Sequence, residues 1–120
     1  MGGAQEEAED AETEDQEPRY RVTVGRAASH DICSAFIWHE ERQLGLGDKF
    51  QDAFDDCVRR IVRRPSANPM VFRDARGVLM KPFKYKVVYL VRNDMIKILS
   101  VVHGARDESA WKRRVDEETD

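Results

Sequence analysis

Cysteine is scarce in this sequence. Cys33 and Cys57 form no CxxC pair and have no histidine at ligand spacing, which argues against structural zinc. Both fall in predicted helices and read as thiols in a reducing compartment. Long apolar runs are missing too: none can span a bilayer, and no signal-peptide pattern opens the chain. A soluble, cytoplasmic protein without a membrane partner is expected. Residues 1–18 lack any base and, after Met1, any aliphatic side chain larger than alanine, while carrying eight acids. Such a segment cannot bury a core and reads as a disordered acidic extension. Residues 116–120 add four acids and read as an acidic tail. The formal charge of −3 therefore hides a partition: residues 19–115 keep eleven acids against all 20 lysines and arginines. A basic domain between acidic ends fits a polyanion, an acidic protein surface or its own tails.

Within residues 19–115 the order reads strand, helix, helix, then three antiparallel strands. YRVTV alternates Tyr20, Val22 and Val24 against Arg21 and Thr23, a short strand. Ser29 is placed to cap a helix starting near His30 or Asp31, with Ala28, Ile32, Ala35, Phe36 and His39 as its apolar stripe. LGLG at 44–47 ends it, Gly45 or Gly47 supplying a positive φ. A second helix runs from Asp48 to Arg64, closed by Pro65, with Phe50, Ala53, Phe54, Cys57, Val58 and Ile61 on one face. Asp55–Arg59 and Asp56–Arg60 are expected as i,i+4 pairs.

The strand candidates are residues 71–73, with a turn near 74–77, then 78–91, and finally 95–103. Asn93-Asp94 signals a hairpin, and Pro82 predicts a bend, bulge or edge inside the long run. Period-two alternation puts Phe83, Tyr85, Val87, Tyr89 and Val91 on one sheet face, against the helices. Lys84, Lys86, Val88, Leu90 and Arg92 share the other face. Exposed Val88 and Leu90 there would call for a covering partner.

From about Tyr20 to Trp111 the chain resembles the RelE/ParE toxins of bacterial type II toxin–antitoxin systems, and within them the ParE-like plasmid-stabilisation proteins. The resemblance rests on GLGDKFQDAFDDCVRRI (45–61), Pro65 and Pro69, FKYKVVYLV (83–91) and ILSVVHGARDESAW (98–111), taken in order. It implies an α+β fold: an N-terminal strand and a helical hairpin packed on a small antiparallel sheet of about four strands. It also implies a cognate antitoxin, a toxin–antitoxin hetero-oligomer and growth arrest, and it calls for no cofactor and no metal.

The resemblance leaves the target open between DNA gyrase and the ribosome with its mRNA. A metal-independent mRNA endonuclease needs a base for the 2′-hydroxyl, positive charge at the phosphate and an acid for the leaving oxygen. By position, Lys86 and Arg106 match basic residues of such members. The family's upstream lysines are missing, leaving Arg76, and Trp111 lies close to the place of a late tyrosine. His103 is an acid–base candidate, but it precedes the arginine. The catalytic set (Lys86, Arg106, Arg76, His103) thus reads as incomplete, which favours a gyrase inhibitor. In that mode Arg73, Lys81, Lys84, Lys86, Arg106 and Trp111 become target contacts, while Val88, Leu90 and Arg92 receive the antitoxin. Trp111 has a plainer reading as a plug packing the last segment onto the sheet. A non-toxic descendant binding only its partner or its operator is the third class.

Overall fold

The computed structural model describes residues 19–104 and 108–119. Strand β1 (Arg21–Val24) leads into helices α1 (Arg26–Arg42) and α2 (Leu46–Arg63). Strands β2 (Met70–Phe72), β3 (Ala75–Leu79), β4 (Tyr85–Arg92) and β5 (Met95–His103) follow, and helix α3 (Glu108–Thr119) comes last. The fold is α+β, as the resemblance implies. The sheet has five strands rather than about four, in the order β1-β5-β4-β3-β2. It is mixed, because β1 pairs parallel to β5 while the other pairs are antiparallel.

Helix α1 starts earlier than the Ser29 cap suggests. The Gly25 amide donates to the Ile98 carbonyl at 2.9 Å, so the chain leaves the sheet there, and the Ser29 amide donates back to the Gly25 carbonyl. Ser29 therefore lies inside the first turn. Gly45 takes the positive φ, 89°, between the helices. Gly47 is needed for a different reason: a Cβ there would sit 2.9 Å from the Phe36 carbonyl oxygen. On the polar face of α2, Arg59 pairs with Asp56 and Asp55 accepts from Gln51, in place of the two pairs expected from spacing.

The run read as one strand over 78–91 is two. The chain turns through Met80–Lys84, with a cis Lys81–Pro82 bond and Lys84 at φ 63°. Tyr85 and Met80 close this hairpin through the Met80 amide and Tyr85 carbonyl, 2.7 Å apart. Residues 75–77, read as part of a turn, open strand β3 (Ala75–Leu79); the turn sits at Arg73–Asp74, where Arg73 has φ 52°.

Two apolar layers result. Phe50, Ala53, Phe54, Cys57 and Ile61 pack against Val87, Tyr89, Ile96 and Ile98 on one face, with Phe83, Tyr85 and Val91 at the margin. That is the alternation expected from the sequence. The opposite face is covered by α3: Trp111 and Val115 bury Ala75, Val88, Leu90 and Leu99. Residues 116–119, expected as a tail, are the last turn of this helix, tied back by Arg73–Asp116 and Lys97–Glu118 ion pairs.

Candidate target- and partner-binding site

The β4–β5 ladder begins with Tyr85 opposite His103. This register brings several of the predicted site residues to one end of the sheet. Lys81 and Lys84 are exposed in the turn before β4, and neither has an ion-pair partner among the described residues. Lys86 lies one residue into β4 and places its Nζ 5.0 Å from the Trp111 ring centroid. His103 ends β5 with its ring 5.1 Å from that of Tyr85.

The remaining predicted residues do not join this group. Arg76 donates to the carbonyls of Ser66 and Asn68, at 3.1 and 2.6 Å, and so clamps the loop after α2. Tyr89 finishes that clamp by donating to the Pro65 carbonyl at 2.6 Å and accepting from Asn68. Its phenol is pushed above the ordinary tyrosine range, mainly by burial. Arg73 pairs with Asp116, and Arg92 with Asp74 at 3.0 Å, both at the far end of the strands. Arg106 lies outside the described residues.

Two expectations need correction. Val88 and Leu90, at 0 and 3 % exposure, offer no open strip, because α3 already occupies the face expected to receive a partner. Trp111, at 1 % exposure, is the plug and not a surface contact. Its ring stands edge-on to Phe72 at 6.3 Å and lies under the Lys86 and Lys112 ammoniums.

The sequence reading missed a cavity beside this basic end. It has a volume of about 440 Å³ and opens between α1 and the start of the β4–β5 pair. Ser34, Trp38 and His39 come from α1, Phe83 from the turn before β4, and Tyr85 and His103 from the sheet. His39 sits at the centre of these rings, 4.9 Å from Trp38, 5.0 Å from Phe83, 5.8 Å from Tyr85 and 5.4 Å from Phe50. It is buried, and its Nε2 has no hydrogen-bond partner among the described residues. Burial holds its pKa below the usual imidazole value, helped by the charges of Arg42 and His103. The one available signal was Trp38, a large aromatic set off the apolar stripe of α1.

Among the described residues no helix is long and apolar enough to cross a membrane, and no group of three or more His, Cys, Asp or Glu is placed to hold a metal ion.

No family profile matches the chain. It is 28% identical over 100 residues to Toxin ParE2 of Mycobacterium tuberculosis, in strains CDC 1551 / Oshkosh and ATCC 25618 / H37Rv, across 82% of this chain and 95% of that protein. Its fold matches a chain of the chromosomal ParDE toxin–antitoxin system from P. aeruginosa with a TM-score of 0.56 at 16% identity. That match covers 71% of this chain and 96% of the other, and it speaks for the fold alone.

Proposed function

We propose that the chain is a ParE-like toxin of the RelE/ParE family, that it arrests growth by inhibiting DNA gyrase and that it is neutralised by a cognate antitoxin. The observation that carries this reading is the relation to Toxin ParE2 over nearly that protein's whole length.

The local chemistry favours target binding over RNA cleavage. An endonuclease would direct cations at the scissile phosphate and stack a base on an open ring. Here Arg76 is used on two backbone carbonyls. Lys86 lies over a buried indole, and that indole is not open to a base. Lys81 and Lys84 remain as exposed charge for an acidic protein surface, next to the aromatic cavity. Charged rims of this kind govern encounter and orientation, while buried rings supply affinity.

The test mixes the purified chain with DNA gyrase, ATP and relaxed plasmid. Loss of supercoiling with accumulation of linear DNA is the expected result. A folded chain that arrests growth, leaves gyrase untouched and yields cleaved messenger RNA on ribosomes would establish the endonuclease reading instead.

A further inference from the structure

We infer that the arginine face at the C-terminal end of α2 is an interaction surface whose occupant is the acidic segment of this chain's own residues 1–18, held there by charge and keeping that face from other polyanions.

The surface comes from the spacing of three cations. Arg60 and Arg63 lie three apart in the last turn of α2, and Arg64 is its C-cap. All three are exposed, and none has an ion-pair partner among the described residues. Arg59, the neighbouring cation, is already taken by Asp56. The negative end of the helix dipole draws a cation to the last turn, but like charges at this spacing repel one another. Elsewhere Arg73, Arg92 and Lys97 are met by Asp116, Asp74 and Glu118. At the end of α2 the described residues supply no such acid.

The chain's course identifies the occupant. Residues 1–18 precede the described residues and carry eight acids and no base. The family resemblance starts at about Tyr20, so this segment is no part of it. Arg21 pairs with Met95 and its amide donates to the Asp94 carbonyl at 2.8 Å, so the chain enters the sheet at the Asn93–Asp94 end. Helix α2 runs to that same end. Its Phe50 meets Tyr85 at the other end, 4.9 Å between centroids, and its 18 residues carry it about 27 Å along. Tyr20 and Val22 accordingly join Val58 and Val62 at the margin of one core cluster. Glu14, Asp15 and Glu17 lie two to five residues before Arg19 and stay within about 18 Å of it even on an extended chain. Lys81 and Lys84, also unpaired, stand beyond the far end of β5, whose nine residues span about 30 Å. These three acids therefore reach the arginines and not the lysines. Tethering sets their effective concentration on the order of millimolar, which a free acidic partner has to match. Uncovered, three guanidiniums on one face offer a footing to nucleic-acid phosphates of any sequence.

The test uses the full chain. One variant replaces the eight acids of residues 6–17 with glutamine or asparagine. Compared with the wild type at low salt, its ¹⁵N amide shifts are expected to differ at residues 58–64, and the differences to fade by about 1 M salt. Differences centred on residues 81–86, or none beyond residue 21, overturn the docking. The consequence is read by fluorescence anisotropy with a short labelled DNA duplex of arbitrary sequence. Neutralising the acids is expected to tighten binding about tenfold, and adding Arg60→Gln, Arg63→Gln and Arg64→Gln to abolish that gain. Lys81→Glu with Lys84→Gln removes the same net charge from the opposite end and is expected to leave most of the gain. Equal loss with the lysine pair assigns the gain to net charge and overturns the surface. A wild-type chain that already binds the duplex through the three arginines makes nucleic acid the occupant and overturns the segment's role. None of these outcomes bears on gyrase inhibition, so this inference and the proposed function fail separately.

Discussion

Arg114 and Asp31 join the two helical layers around the edge of the sheet. Arg114 Nη1 lies 2.7 Å from Asp31 Oδ2, and the same nitrogen donates to the Leu99 carbonyl and to Ser100 Oγ. Asp31 in turn accepts from the Val101 amide at 2.9 Å. Pairing with β1 ends at Val24 opposite Ile98, so the outer edge of β5 beyond that point is served by a carboxylate instead of a strand. Both side chains are largely buried. Asp31→Ala leaves an edge amide and a guanidinium without their partner, and a loss of about 1–3 kcal/mol is expected. Urea unfolding reads it as a lower midpoint at unchanged slope. Arg114→Met alone and combined with Asp31→Ala closes a double-mutant cycle; a coupling near zero would show that the two layers are not linked by this pair.

Glu40 does for α2 what no capping residue does. Its two carboxylate oxygens accept from the Gly45 and Gly47 amides, both at 2.9 Å, at the start of that helix. A carboxylate at a helix N-terminus satisfies orphan amides and meets the positive end of the dipole. Glu40→Ala is expected to cost about 0.5–2 kcal/mol, the range of a lost N-cap. Gly47→Ala should cost more, because its Cβ meets the Phe36 carbonyl and neither backbone can yield without moving the helix pair. Thermal unfolding of the two variants checks the order; an alanine at 47 that is tolerated as well as one at 40 would contradict the close approach.

The helical hairpin and the central strands were legible because their periodicity is long. Six apolar positions at helical spacing define α2, and five alternating ones define the inner face of residues 83–91. The first half of strand β3 was not legible because Ala75 and Gly77 are small and Arg76 is charged, and its burial comes from neighbours on both sides. Helix α3 shows only Trp111 and Val115 as large buried residues amid charge, too few to separate it from a tail. That omission made Val88 and Leu90 look exposed. The cavity was hidden for another reason: His39, Tyr85 and His103 belong to three elements far apart in the chain, and only the β4–β5 register and the position of α1 bring them together.

The buried imidazole predicts an acid sensitivity with a definite sign. His39 titrates below the usual imidazole value in the folded chain, chiefly because it is buried, while the unfolded chain takes up the proton at about pH 6.5. Below that value the unfolded state binds a proton that the folded state refuses, so the unfolded state gains. Stability is therefore complete above about pH 6.5 and falls as the pH drops through the folded pKa. His39→Leu, which keeps an apolar group of similar size among Phe50, Phe83 and Tyr85, should flatten this part of the stability–pH curve. The comparison is made by urea denaturation between pH 7.5 and 5; parallel curves for the two proteins would remove His39 as the cause.

Lys81 and Lys84 provide the sharpest separation of function from stability. Both are exposed in the β3–β4 turn without an acidic partner among the described residues, so their charge contributes little to the fold. Lys84 holds φ at 63° and Lys81 precedes Pro82, so substitution is best confined to side chains of comparable length, Lys81→Glu and Lys84→Gln. If this end of the sheet meets an acidic target, the double substitution relieves growth arrest and weakens gyrase inhibition by about tenfold or more, with a steeper loss at low salt. The unfolding midpoint should move by no more than about 0.5 kcal/mol in equivalent stability. Arg73→Gln is the control from the far end of the sheet, where the cation is already neutralised by Asp116. Retained toxicity in the double variant, or equal loss in Arg73→Gln, would move the target contact away from the Tyr85–His103 end.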